Sequence, residues 1–287
     1  MNVLLTSQQI KTYYERHKAT ELTFTKEIAE VTGLISKQTA LKCMGEFWPC
    51  LIYATSFESA KIVANTKSGL IQKLQEANNA GSLKFSFANP ETGNPIVIFV
   101  GCRSVGYTPY GASRDMGIIS LQFTQRPPDD LIVILGQILD AHVNSVLRRG
   151  ERIIITNDTQ RRLSIRSRDI AITIQGVPRQ CILRDISFYG VKVIIMGIAK
   201  FLENKDVELI IEFDEPSQSF SLKGKFVRSE QVEGRKELVA MAIALDEAAV
   251  PMGYKTRINN YISMVRADNR WQEQSQDQSG AAADGAV

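Results

Sequence analysis

QCILRDISFYGVKVIIM, residues 180–196, decides how this chain folds. Its two halves, QCILRDIS and GVKVIIM, are dense in β-branched and apolar residues and read as two strands. Between them lies Asp185-x-Ser187-x-x-Gly190, a cluster of residues that favour turns. Outward from this pair, almost everything from Glu151 to about Glu247 has the same texture: RIIIT, RRLSIR, IAITIQG, VELIIEF, SFSLKGKFVRSEQ and ELVAMAIALDE. Short strands separated by turn signals predict an antiparallel sandwich or barrel. Pro251 to Arg266 reads as a closing helix, with Tyr254, Ile258, Tyr261 and Ile262 as an apolar stripe that can lie across the barrel. From Ala267 the chain turns polar and rich in Gly, Ala and Gln, so residues 267–287 are expected to be disordered.

The first half mixes both periods. Ser7 to His17 predicts a helix with Ile10, Tyr13 and Tyr14 on one face. ALKCMGEFWPCLIYATSFESAKIVA predicts successive strands, and Ser68 to Asn79 a helix capped by Ser68 and stopped at Gly81. LKFSF, PIVIFVG and GIISLQF predict further strands. Then RPPDDLIVILGQILDAHVNSVLRRGER opens a helix, with Asp129 and Asp130 where first-turn acids belong, that ends near Arg148. Its most apolar run, Leu131 to Leu139, holds Gly136 and Gln137, is closed by Asp140 and falls short of the roughly 20 residues a membrane span needs, so none is expected. The start MNVLLTSQQI lacks the basic and apolar regions of a secretion signal, so a cytoplasmic location is expected.

With 287 residues the chain is long enough for two domains. Cys43, Cys50, Cys102 and Cys181 sit in apolar surroundings with no CxxC spacing, as suits reduced, buried thiols. Two histidines, His17 and His142, offer little for a metal site or a nucleophile–histidine pair. No P-loop or GxGxxG motif is present. These features argue for a binding protein without catalytic residues, metal or cofactor. The net charge is only +3, but Ser145 to Lys192 holds ten basic against four acidic side chains, leaving +6 there. An arginine-dominated patch in a near-neutral protein points to a phosphate-bearing ligand.

Three arginine pairs are spaced by four: Arg148 and Arg152, Arg162 and Arg166, Arg266 and Arg270. The first precedes the first strand of the β region, the second falls in a strand-like run, and the third follows the last helix. Asp185 and Ser187 suit either ligand contacts or side-chain hydrogen bonds bracing a hairpin. RxxxR followed by DxSxxG, in this order and β context, resembles the PilZ family. The resemblance runs from about Arg148 to Arg266 and continues through KGKFVRSE, the VAMAIALDE strand and the final helix.

The resemblance implies a mainly β protein with α elements: a C-terminal PilZ-type antiparallel β-barrel closed by a helix. The order of domains looks like the two-domain PlzA-like branch, which implies a divergent α+β PilZ-like barrel in the first half. The expected domains are 1–141, a linker at 142–152 carrying the arginine pair, a barrel and helix at 153–266, and the tail. The implied ligand is cyclic di-GMP, bound by Arg148, Arg152, Asp185, Ser187 and Gly190. Arg149 and Arg184 stand beside them with no role assigned by the motif. Guanidinium suits this ligand, because it grips phosphate or the guanine O6/N7 edge with two bonds and offers a flat face to a base. The implied role is a receptor that shifts its domains on binding and signals to a protein partner, in motility, adhesion or virulence as family-level expectations. The competing reading is a basic barrel that binds nucleic acid, with Phe188 and Tyr189 as its only adjacent aromatic candidates near the motif.

Overall fold

The computed structural model describes residues 6–283 apart from positions 91, 114 and 236, with side chains described to residue 269. It divides into two compact units, one of Leu4–Asp140 and one that begins at Ala141.

The first unit opens with α1 (Ser7–His17), capped by Thr6 and Gln9, which bond each other's backbone N–H groups. Then come β1 (Leu22–Thr23), α2 (Lys26–Thr32), β2 (Ala40–Cys43), β3 (Glu46–Thr55) and β4 (Ser59–Asn65). Next are α3 (Leu70–Glu76), β5 (Ala80–Phe87), β6 (Ile96–Pro109), β7 (Met116–Phe123) and α4 (Asp129–Leu147). The strands close as β3-β2-β5-β6-β7-β4, with β4 pairing back to β3 and β1 attached outside β3. Closure leaves the barrel itself no open edge. Leu41, Ile62, Leu83, Phe85 and Val100 fill the interior.

The second unit contains β8 (Ile153–Ile154), α5 (Asn157–Leu163), β9 (Asp169–Ile174), β10 (Val177–Ile186), β11 (Gly190–Met196), α6 (Ala199–Leu202), β12 (Asp206–Phe213), β13 (Gln218–Gln231), β14 (Leu238–Leu245) and α7 (Met252–Ala283). They close as β11-β14-β13-β12-β9-β10, with β10 pairing back to β11 and β8 added outside β10. Val191, Val193, Leu209, Phe213 and Phe226 fill this interior, and Tyr254, Ile258 and Ile262 of α7 join them.

Numbered one to six within each unit, the barrel strands follow the same cyclic order, 2-1-4-5-6-3. The likeness extends to irregular features. Strand two carries a bulge in both units, between Ile52 and Ala54 and between Leu183 and Asp185. Strand five does so too, between Ser104 and Gly106 and between Phe226 and Arg228. A bulge adds a residue and bends its strand, so matched bulges give the two walls the same local course. Each unit also has, ahead of its barrel strands, a two-residue strand on the end of strand two, and places a helix between strands three and four.

Three expectations need correction, and a fourth needs a different reason. RRLSIR is not a strand: Arg161 and Arg162 lie in the last turn of α5, which Thr156 caps with its side chain, and Ser164 ends the helix in the left-handed conformation. Ser68 does not cap α3, because the cap position falls on Gly69, whose φ of 95° suits glycine. The stretch from Ala267 continues α7 to Ala283, as its run of Glu, Gln and Ala permits, while 284–287 lie outside the described residues. Finally, α4 has 19 residues and is apolar enough to cross a membrane by length and composition. However, Leu131, Ile132, Leu135 and Leu139 are buried in the first barrel's core, the pattern of a core helix.

Candidate functional site: an arginine segment and a hairpin turn on the second barrel

The site is assembled by β8. Ile153 pairs with Ile186 and Ile154 with Asp185, so the residue just before β8, Arg152, is delivered to the end of β10. There Arg152 Nη1 donates to Asp185 Oδ1 as a close ion pair. Asp185 itself is 9% exposed, whereas the Arg152 side chain is 46% exposed and faces solvent. A charge held by a largely buried acid and open on its other side can still bind an anion.

The turn from β10 to β11 is braced by its own side chain. Both the backbone N–H and the hydroxyl of buried Ser187 donate to the Gly190 carbonyl, at 2.8 and 3.1 Å. Gly190 is favoured by tight space and not by a left-handed backbone. A Cβ there would lie 3.2 Å from Ser187 Oγ, 3.4 Å from Arg152 Nη2 and 3.4 Å from the Ile243 carbonyl. The missing side chain therefore leaves room for the guanidinium. Beneath the turn, Tyr254 Oη donates to the Ser187 carbonyl at 2.9 Å. Burial, and after it the negative charge of Asp185, raises the Tyr254 pKa, so the phenol stays a donor at neutral pH. Tyr254→Phe is expected to lower the stability of this unit by about 1–3 kcal/mol, since it leaves a buried carbonyl without its donor. Denaturant unfolding of the variant against the parent chain checks this.

Arg148 lies at the end of α4, half-buried, with its backbone N–H bonded to the Asn144 carbonyl. Glu151 N–H bonds back to the Arg148 carbonyl, so the segment turns compactly between the two arginines. Of the predicted residues, the structure draws Arg152, Asp185, Ser187 and Gly190 into one cluster and places Arg148 four residues upstream of it. Arg184 is the bulge residue of β10, and its carbonyl accepts from Ile155 N–H. Arg162 pairs with Asp268 and stacks on Tyr261, while Arg166 pairs with Glu212 and Asp214, so protein carboxylates engage both.

Sequence reasoning missed how firmly the arginine segment is held within its unit. Asn144 Nδ2 donates to Asn259 Oδ1 at 2.7 Å, both residues being buried. Tyr189 donates to Ser145 Oγ at 3.1 Å, and both Arg149 (5.4 Å) and Lys255 (5.2 Å) approach its ring. Arg149 also pairs with Glu247, and Glu151 accepts from Arg266 at 2.7 Å.

The first barrel shows the same turn with different chemistry. Ser56 N–H bonds to the Ser59 carbonyl at 2.8 Å, as Ser187 does to Gly190. Leu22 pairs with Thr55 as Ile153 pairs with Ile186, which sets Ala54 in the place of Asp185, Ser59 in that of Gly190 and Glu21 in that of Arg152. Lys61 corresponds to Lys192, since it pairs with Ala54 as Lys192 does with Asp185, and Glu21 bridges to it at 2.7 Å. The cation, the acid and the gap are all gone.

A closed antiparallel barrel with an arginine segment leading into it and an acid–hydroxyl–glycine hairpin beneath it has the architecture of a PilZ-type barrel. The chain belongs to the PilZ family: residues 8–142 match the PilZN3 domain and residues 157–262 the PilZ domain. It is 41% identical over 261 residues to a Treponema denticola protein named "Cyclic di-GMP binding protein", an alignment covering 91% of this chain and 83% of that one. Among solved structures it is similar to Borreliella burgdorferi PlzA in complex with c-di-GMP, at 22% identity and a TM-score of 0.41, covering 90% of this chain and 99% of PlzA. It is also similar to the Bacillus subtilis inhibitor of motility MotI/DgrA, at 15% identity and a TM-score of 0.29, covering 81% and 97%.

Proposed function

We propose that this protein is a cyclic di-GMP receptor that binds through its second barrel, with Arg148, Arg152, Asp185, Ser187 and Gly190 as the ligand-binding set. The observation that carries the reading is the exposed Arg152 guanidinium held by Asp185 over the space that Gly190 leaves open. The name of the T. denticola relative, which shares 41% identity, points to the same ligand. In this reading the arginines take phosphate oxygens and the Hoogsteen edge of guanine, while Asp185 orients Arg152 or accepts guanine N1 and N2 protons. Ser187 and Gly190 shape the turn. Charge-assisted hydrogen bonds of about 1.5–3 kcal/mol each support micromolar binding, about −8 kcal/mol, after ordering costs. The first barrel, with Glu21, Ala54 and Ser59 at the matching positions, binds none, so one chain offers one nucleotide site. The protein acts as a receptor without catalysis.

Residues 142–152 form the linker through which binding acts. The nucleotide adds a second partner to the Arg152 guanidinium that Asp185 already holds, so binding exchanges water for phosphate on the open side of the linker arginines. That exchange alters how residues 1–141 are held and passes the signal to a protein partner. A complete shift between two arrangements needs about 5.5 kcal/mol of differential affinity. Isothermal titration is expected to show micromolar or tighter affinity for cyclic di-GMP at one site per chain, and none for cyclic di-AMP, GTP or a single-stranded oligonucleotide. Small-angle scattering with and without nucleotide is expected to differ; identical profiles at saturation would remove the switch and leave the binding.

A further inference from the structure

The two barrels share strand order, bulges and turn hydrogen bonds, so each is a control for the other. Differences at matched positions gather on one outer face of the second barrel. Three are Arg152 for Glu21, Asp185 for Ala54 and Gly190 for Ser59. Two more lie on strand five. Lys192 pairs with Ala242 as Lys61 pairs with Ser120, and the next strand sets Arg228 against Ala242 and Gly106 against Ser120. One step further along, Glu230 stands where the first barrel has Thr108.

Asp185, Lys192, Ala242 and Arg228 thus form one lateral row across β10, β11, β14 and β13. Neighbouring strands lie about 4.8 Å apart, and only the methyl of Ala242 stands between the two cations. Both converge on one carboxylate: Lys192 Nζ lies 2.5 Å and Arg228 Nη2 3.6 Å from Glu230. Lys192, through its hydrogen bond and its charge, holds the Glu230 carboxyl below its usual range; burial opposes this and Arg228 and Arg152 add lesser help, so Glu230 is ionised at neutral pH. The carboxylate thus gives two cations the kind of anionic partner that a phosphate would be.

We propose that the nucleotide site extends from the signature turn to β13, where Lys192 and Arg228 bind a phosphate of the ligand and Glu230 is the built-in carboxylate that this phosphate displaces. The inference rests on the receptor reading above and adds a regulatory element to it: Glu230 holds the affinity below what the cations alone would give. At a site where ligand and carboxylate compete, removing the competitor tightens binding, whereas removing a cation weakens it.

The test is titration of the full chain with cyclic di-GMP at one ionic strength, each variant first checked for an unchanged thermal midpoint. Glu230→Gln is expected to tighten binding by about three- to tenfold, and Lys192→Gln and Arg228→Gln each to weaken it by about five- to twentyfold. In the double variant Lys192→Gln/Glu230→Gln, the gain from Glu230→Gln is expected to shrink, because the two residues act as a pair. A wild-type chain that binds while Glu230→Gln binds equally or more weakly overturns the proposal, as does unchanged affinity in both cation variants. A wild-type chain that does not bind at all defeats the receptor reading instead.

Discussion

Arg152→Ala is expected to drop cyclic di-GMP affinity by about 100- to 1000-fold, equivalent to about 3–4 kcal/mol and enough to carry a micromolar site beyond reach of calorimetry. The size follows from what the guanidinium supplies: two parallel charge-assisted bonds from one planar group. Arg152→Lys should recover little of this, because an ammonium is a point charge without the two-pronged geometry. The fold should survive. The Arg152 side chain is 46% exposed, but its loss leaves the largely buried Asp185 carboxylate without its ion-pair partner, so a stability loss of about 1–3 kcal/mol is expected, less than the stability of a folded domain. Asp185→Ala should likewise abolish binding, since it removes both the acceptor and the group that aims Arg152. Unchanged affinity in both variants would show that the nucleotide binds elsewhere.

The largest stability effect is expected at Gly224, between Lys223 and Lys225 on β13. A Cβ at this position of β13 would lie 2.3 Å from the Ala244 carbonyl oxygen and 2.9 Å from Ile243 Cγ2, both on the paired strand β14. Neither neighbour is the end of a flexible side chain, so Gly224→Ala must push two hydrogen-bonded strands apart in a closed barrel. A cost of about 2–4 kcal/mol is expected, read as a fall in the denaturant midpoint of the second unit. Gly150→Ala is the control: nothing lies within 4 Å of the added methyl, and its midpoint should barely move. Equal midpoints for the two variants would mean that β13 and β14 do not approach as described.

Much of the fold was legible in the residues. Alternation of apolar and polar side chains marked the long strands in both halves, because a strand with one buried face shows period two in its own sequence. Ile10, Tyr13 and Tyr14 marked α1 for the same reason at helical period. The short α5 was not legible: its seven residues carry only Leu163 of the apolar pair in RRLSIR, Ile165 lying beyond the helix in a bridge to Phe213, and so few positions fit either period. The cap at Thr156 and Asp158 in the first turn were the available signals. In the site, the spacing of Asp185, Ser187 and Gly190 was visible. The reason for Gly190 was not, since it depends on Arg152 Nη2 arriving from another segment.

By itself, then, the sequence determined the alternation that makes two sets of strands, the hairpin at Asp185–Gly190 and the arginine segment before them, all properties of residues close along the chain. Tertiary structure alone decided that β14 enters between β11 and β13, which sets Lys192 and Arg228 on either side of Ala242 and hands both to Glu230. It also decided that the first barrel repeats the second's hydrogen bonds while reversing its charge, with Glu21 in the place of Arg152. Backbone pairing preserves a strand order without preserving side chains, so neither relation leaves a trace in local sequence.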